Sequence, residues 1–366
     1  MTLSATLAEL VRDFRANGRI VIVGASLAGL RGAEALRAGG FSGSLTIIGD
    51  EPYEPYDRPP LSKQVLKGWV PADHTLLPRA RELDARWRLG VAATGLDRAA
   101  KQVHLANGEQ VPYDRLLIAT GTRARQWPNP AEAALEGVLS LRTRDDAARL
   151  QQALAARPSR VLVIGGGFIG SEVASVCREL DIPVTLTERG PAPLVGALGG
   201  VIGEIAAEMQ RDHGVDLRCG VSVSSLEGDA AGHVRRARLS DGTTVEADVV
   251  LAALGSIRNV EWLQGSGLAA GFWGGRVRRR RPGVRHQRRG DRQRLRGGRR
   301  GARATRVVRV PVPRDGALGQ RRPRRRGGGP QHGQPRTALP SASAAARLLV
   351  RPVRRQHQVR RRAAVR

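Results

Sequence analysis

Twice along this chain a short apolar run meets a glycine turn and continues into a helical pattern, and few folds accommodate that arrangement in duplicate. In the first copy Ile20–Val23 run into Gly24-Ala25-Ser26-Leu27-Ala28-Gly29, a helical pattern follows (Leu30, Ala33, Leu36), and a second apolar run, Leu45–Ile48, ends at Gly49-Asp50-Glu51. Strand, tight turn, helix and strand with an acid about 20 residues past the last glycine is the layout of a dinucleotide-binding unit. The chemistry demands it, because a pyrophosphate held by backbone N–H groups at a helix N-terminus tolerates nothing bulky at the turn, and the acid takes the ribose hydroxyls. Ser26 stands where the pattern has its middle glycine.

The second copy has all three glycines, Gly165, Gly167 and Gly170, with Phe168 and Ile169 between the last two. Its following strand, Val184–Thr187, ends in Glu188. A further repeat trails each copy: residues 105–121 and 239–255 align without a gap at an offset of 134 positions. In each, an Asn-Gly or Asp-Gly hairpin turn leads to Asp114 or Asp248 and then to an apolar run ending in glycine, Gly121 or Gly255. One polypeptide therefore holds two related nucleotide-binding units.

With 366 residues there is room for two or three domains, and a net charge of +28 read globally points to nucleic acid or an acidic membrane surface. The charge is not spread evenly. Residues 275–366 hold 31 arginines against two acids, Asp291 and Asp315, so the preceding 274 residues are within one unit of neutrality. The two cysteines, Cys177 and Cys219, stand too far apart for a C-x-x-C or metal-ligand pattern, which fits a reducing cytoplasm. No apolar run is long enough to span a bilayer, and the N-terminus lacks the pattern of a signal peptide.

Leu7, Leu10, Val11 and Phe14 recur at helical spacing, so residues 1–18 read as an amphipathic helix packed on the body. Four prolines between Glu51 and Lys63 impose a shaped loop, PYEPYDRPPLSK, that presents Arg58 and Lys63 just after the first ribose-binding acid. A Pro-rich crossing at 127–130 reads as a linker, and residues 131–155 read as helical.

The succession GDE, PYDRPPLSK, YDRLLIATG, GGGFIGSE and a strand ending ALG resembles the FAD-dependent NADH:ferredoxin (rubredoxin, putidaredoxin) reductases that feed oxygenases, over residues 19–274. They form a branch of the pyridine nucleotide-disulfide oxidoreductases. The resemblance implies an α/β fold of two Rossmann-like three-layer domains, the second inserted in the first: FAD domain 19–130, NAD domain 131–253, and a return to the FAD domain at 254–274. It further implies that Gly24, Ser26, Ala28 and Gly29 face the FAD pyrophosphate and Asp50 or Glu51 its ribose. Arg58, Lys63, Ala92 and the strand end Ala119, Thr120, Gly121 and Gly255 lie near the same cofactor. Gly165, Gly167, Phe168, Ile169 and Gly170 would hold NADH, with Glu188 on its ribose; an acid there disfavours a 2′-phosphate and so selects NADH over NADPH, while Arg189 beside it works the other way. Lys63 near the flavin and Glu172 near the nicotinamide are the implied catalytic pair. Related enzymes carry a redox cysteine pair soon after the first glycine turn; none occurs here, so electrons would pass from flavin directly to a ferredoxin-type iron–sulfur protein.

The family's second flavin motif, a strand ending A-G-D, and its E-H-W-x-N-A helix are missing as written. Residues 275–366 contain no Phe, Tyr, Trp, Ile, Met, Glu or Lys, a composition that cannot bury a core and implies a disordered or irregular tail. A shifted reading frame explains it: codons for 292–302 regrouped by one base spell DNVFVAGDVA, and those for 309–320 spell EYPFLAMEHWGN. On this reading the chain retains FAD weakly and has little reductase activity. The rival is an RNA- or polyanion-binding tail beside an NADH-binding remnant, but no aromatic interleaves the arginines and no lysine joins them, so the tail implies non-specific polyanion contact and not a specific nucleic-acid site. An NADH oxidase of the same superfamily would need a cysteine between 51 and 70, where there is none.

Overall fold

The computed structural model describes residues 3–269 together with Arg278–Arg279. The expectations placed on the remainder of 270–366, the irregular tail and the shifted frame among them, lie outside the described residues.

Helix α1 (Leu3–Asn17) leads into β1 (Arg19–Val23), α2 (Leu27–Ala38) and β2 (Ser44–Ile48). After the proline loop come β3 (Arg86–Arg88), the meander β4 (Ala93–Asp97), β5 (Gln102–Leu105), β6 (Gln110–Pro112), and then β7 (Arg115–Ile118). The order β3-β2-β1-β7 forms a wholly parallel sheet. Alternation puts Ile20, Ile22, Leu45 and Ile47 against Leu30 and Ala33 of α2, while Val21, Val23 and Ile48 face the meander's Leu96, Val103 and Val111. Helix, sheet and meander make the three layers.

The second half repeats the plan. A short crossing strand β8 (Thr122–Ala124) precedes α3 (Pro130–Ala133), β9 (Val138–Leu139) and α4 (Arg144–Ala155). Then follow β10 (Val161–Ile164), α5 (Phe168–Glu179), β11 (Val184–Glu188), α6 (Val195–Leu198), α7 (Gly200–Asp212) and β12 (Asp216–Cys219). A second meander, β13 (Val223–Gly228), β14 (Val234–Leu239) and β15 (Thr244–Glu246), returns the chain to β16 (Val249–Ala252). The parallel order is β12-β11-β10-β16-β9. The exit strand β17 (Ser256–Arg258) lies antiparallel to β8, so the chain enters and leaves the second half side by side, as an inserted unit requires. A final two-residue pairing joins Leu268–Ala269 to Arg278–Arg279.

Each repeat carries its own clamp. Asp114 accepts hydrogen bonds from the Arg19 backbone N–H (2.9 Å) and guanidinium (3.0 Å), fixing the start of β1 to the start of β7. Asp248 accepts from Ser159 N–H at 2.7 Å and fixes β10 to β16 in the same way. The Arg19 hydrogen bonds, side chain first and backbone second, hold the Asp114 carboxyl down to about 2.

Two local expectations are corrected. Among the described side chains of α1 only Phe14 turns inward, against Phe41 at 5.8 Å between ring centroids, and Leu7, Leu10 and Val11 stay exposed. The stretch 131–155 is not one helix. Gly137, at φ +92° with the Asp248 carbonyl only 2.5 Å from where a Cβ would sit, breaks it so that β9 can join the sheet, and Thr143 and Asp146 restart α4 with a reciprocal capping box.

Candidate functional site

Both glycine turns sit where a buried central strand bends into a helix. Gly24 takes φ +121° and Gly165 φ +107°, values open to glycine alone, and a Cβ on either would strike a carbonyl of the neighbouring strand end, Ala119 at 2.1 Å or Ala253 at 2.6 Å. Gly29 and Gly170 let the first helical turn close on the strand: a Cβ on each would lie 1.9 Å from the carbonyl of Gly24 or Gly165. Gly167 differs, since a Cβ there meets nothing. The space beside it is open, the condition for a phosphate to approach the first amides of α5. Ser26 occupies the equivalent place before α2, caps nothing, and leaves that helix's amides equally available. Leu27 and Phe168, equivalent residues at the two helix starts, are each 49% exposed, and Ile169 is 38% exposed, so both mouths carry apolar rims.

The acids behave differently in the two halves. Glu188 accepts from the backbone N–H of Gly166 and of Gly190, both at 2.7 Å, bracing the second glycine turn from below; Arg189 beside it is exposed. In the first half Glu51 is taken up internally by Tyr56 and by Arg58 at 2.5 Å. Asp50 stays exposed two residues past β2 and, among the described residues, accepts only from the Glu51 N–H, at 3.1 Å. Of the two candidate ribose acids the structure therefore leaves Asp50 available. Ala92 lies beside this strand end, one residue past Val91, whose N–H donates to the Gly49 carbonyl. Thr120 is tied to the exit segment by its hydroxyl on the Asn259 carbonyl (2.6 Å) and by Asn259 Nδ2 on its own carbonyl (3.0 Å), with Gly121 and Gly255 in positive φ at the crossing.

The proline loop is not a solvated connector. Tyr56, Leu61, Val65 and Leu66 are at most 5% exposed and belong to the core of the second half, with Leu150, Leu154 and Val173. At about 1.5–3 kcal/mol for each fully buried apolar side chain, four such anchors offset a large part of the cost of ordering the loop, about 1–2 kcal/mol per residue. Polar contacts add to them. Tyr53 donates to Asp145 at 2.8 Å and Arg58 to the Arg142 carbonyl at 2.8 Å, while the Arg58 guanidinium lies 4.8 Å from the Tyr56 ring centroid. Burial first, and then the bond to Glu51, push the Tyr56 phenol upward, so it donates and stays neutral. Arg58 thus works within the protein, welding loop to α4.

The last turn of the loop, Pro59–Ser62, lands beside α5. There Lys63 Nζ lies 2.7 Å from Glu172 Oε2, and the Ser62 hydroxyl, 2% exposed with its residue, donates to the same oxygen at 2.5 Å. Residues 110 positions apart are thereby brought together at the junction of the two halves. The sequence pointed to Lys63 and Glu172; it gave no sign of Ser62 beyond its adjacency to Lys63, and none of Tyr56, Asp145 or Arg142. The thiols stand apart from this site. Cys177 is buried in α5 and pushed up to about 12 by that burial, and Cys219 is unpaired. No group of side chains among the described residues could hold a metal ion, and none of the described helices is long and apolar enough to cross a membrane.

Comparison with known proteins agrees with this arrangement. The family model for pyridine nucleotide-disulphide oxidoreductases matches residues 18–280. The chain is 39% identical over 245 residues to the ferredoxin–NAD(+) reductase component of the p-cumate 2,3-dioxygenase system of Pseudomonas putida, covering 66% of this chain and 59% of that protein. It is 40% identical over 254 residues to the corresponding component of the biphenyl dioxygenase system of Paraburkholderia xenovorans, covering 68% and 61%. Among solved structures, putidaredoxin reductase in its covalent complex with putidaredoxin superposes with a TM-score of 0.66 at 34% identity, covering 69% of this chain and 62% of that one. The chain spans about three fifths of the length of the curated relatives it matches. With the family model covering well over half of its length, this chain belongs to the pyridine nucleotide-disulphide oxidoreductase family.

Proposed function

We propose that the protein is built to pass hydride from NADH to FAD and single electrons onward to a ferredoxin-type iron–sulfur protein, in the cytoplasm. The observation that carries this is the Lys63–Glu172 pair, held where the loop of one glycine-hinged half meets the first turns of the helix that opens the other. Support comes also from relatives that are named as ferredoxin–NAD(+) reductase components.

The residues fit the two nucleotides. Gly24 and Gly29 open the first turn to a pyrophosphate, Ser26 leaves the α2 amides available, and Asp50 is the acid offered to the adenosine ribose. Bound FAD would supply the conversion of a two-electron donor into one-electron deliveries. Gly165, Gly167 and Gly170 serve NADH, and Glu188, its position fixed by two backbone amides, accepts from ribose hydroxyls and repels a 2′-phosphate. Glu172 and Ser62 together hold the Lys63 ammonium as a fixed positive charge at the junction. The absence of any cysteine between the first glycine turn and β3, with Cys177 buried and protonated, supports transfer without a disulfide relay. The domain limits follow the same reading: a first domain over 19–130, completed after an inserted second domain over 131–253.

A titration followed by turnover tests this. The chain is expected to bind NADH, to hold FAD weakly because no A-G-D motif is present in its sequence, and to reduce ferricyanide slowly with FAD in excess. Lys63→Met and Glu172→Gln then each lower that rate about tenfold with NADH binding unchanged. Failure to bind NADH overturns the reading, and so does a rate indifferent to both substitutions.

A further inference from the structure

Strands β3-β2-β1-β7 of the first half correspond in order to β12-β11-β10-β16 of the second, and at one place on the meander-facing side of the sheets their charges are opposite. In the second half Thr185 lies cross-strand from Asp216, and Thr187 from Arg218. The Asp216 carboxylate accepts from the Thr185 hydroxyl at 2.9 Å and from Arg218 at 3.0 Å, and Arg160 reaches the same hydroxyl at 3.1 Å. That anion gathers a hydroxyl and two guanidinium groups into one satisfied knot.

In the first half the matching register is Thr46 opposite Arg86 and Ile48 opposite Arg88, with Arg19 opening β1 at the position where Arg160 immediately precedes β10. Arg86 therefore stands where Asp216 stands in the sister sheet. The hydroxyl and two arginines are kept, and the carboxylate that drew them together is exchanged for a third cation. Arg88 is paired with Glu109 at 3.1 Å and Arg19 with Asp114 at 3.0 Å. The exposed Arg86 side chain has no acid or hydrogen-bond partner among the described residues. Where the knot would be there is instead a cavity of about 130 Å³, lined by Arg19, Arg86, Arg88, Ser44 and Thr46 and by one carboxylate, Glu109, whose charge is taken up by Arg88. At about 30 Å³ per water in the liquid, that is room for a tetrahedral oxyanion with a little solvent.

We propose that this cavity binds a small oxyanion of the size of inorganic phosphate, its oxygens taking the place that the Asp216 carboxylate holds in the sister domain. Arg86 supplies the uncompensated charge and two parallel donors, Thr46 and Ser44 donate hydroxyls, and Arg88 stands beside them with its charge balanced by Glu109. The site lies at the edge of the first sheet that carries β3, beside β6, and uses no residue assigned above to either nucleotide, so it stands or falls independently of the proposed reductase function.

Because the arginine-rich tail also attracts anions, the test must be read residue by residue. Labelling of the full chain with phenylglyoxal, quantified peptide by peptide by mass spectrometry, reports on Arg86 separately from the other arginines. Millimolar inorganic phosphate is expected to slow modification of Arg86 about fivefold relative to sodium chloride at matched ionic strength, and Thr46→Val to remove most of that protection while Arg81 labels equally throughout. A second variant uses the sister domain as its guide: Arg86→Asp is expected to abolish the phosphate-dependent protection of Arg88 against the same reagent. Equal slowing by chloride and phosphate would mean an adventitious ion only and overturns the proposal. So does protection that survives Thr46→Val, or protection by adenosine monophosphate without protection by phosphate, since the cavity has no room for a nucleoside.

Discussion

The strands β7 and β16 are the same strand written twice, 134 positions apart, yet they live in different surroundings. In the second half β16 lies between β10 and β9 and all four of its residues are buried. In the first, β7 pairs with β1 and has no other strand beside it among the described residues, and its side chains alternate between exposed and half-buried. Leu251 is 0% exposed and its counterpart Leu117 is 37% exposed. The pattern of apolar residues commits both segments to a parallel strand. What a strand is worth to the fold depends on a neighbour supplied from elsewhere in the chain, β9 in one case only.

That contrast can be broken or sharpened by substitution. The largest effects belong to what the halves share. Gly170→Ala and Gly29→Ala each drive a Cβ into a backbone carbonyl, and each is expected to cost about 4 kcal/mol or prevent folding, read by denaturant unfolding. If the two costs differ widely, the first turn is looser than its twin. The strand pair comes next. Leu251→Ala is expected to destabilise by about 2–5 kcal/mol, and Leu117→Ala by less than about 1 kcal/mol, the range of surface sites. Equal losses would show that the outer side of β7 is covered in solution. The smallest effect is the acid limb of the two clamps. Asp114 titrates at about 2 in the folded chain against an ordinary 3.8, so its contribution is present above pH 4 and is lost as pH falls from about 4 to 2. Asp248, also held low, by the Ser159 hydroxyl first, behaves in the same sense. Asp114→Asn should therefore flatten the pH dependence of unfolding in that window, and stability that keeps the same acid slope would remove the clamp from the account.

Much of the framework is legible because it is local. The bends at Gly24 and Gly165 need only a run of β-branched residues, a glycine and a helical period, all within a dozen positions. The offset between the two meanders is a property of the string itself. The Lys63–Glu172 pairing followed from family resemblance and not from periodicity, since nothing in a proline-rich segment announces which helix it will meet. Ser62, Tyr56 and Asp145 went unnoticed for the same reason: they matter through partners about 90 to 110 positions away. The stripe on α1 shows the opposite failure. Leu7, Leu10 and Val11 satisfy the spacing rule, but a rule about spacing is silent on whether the body has a surface to receive them.

Tyr56, Leu61, Val65 and Leu66 are carried by the first half in sequence and by the second in space. The two units are consequently not interchangeable parts. Anyone grafting the second glycine-hinged unit onto another scaffold must bring residues 51–66 with it, or leave a hole in its core where those four side chains were.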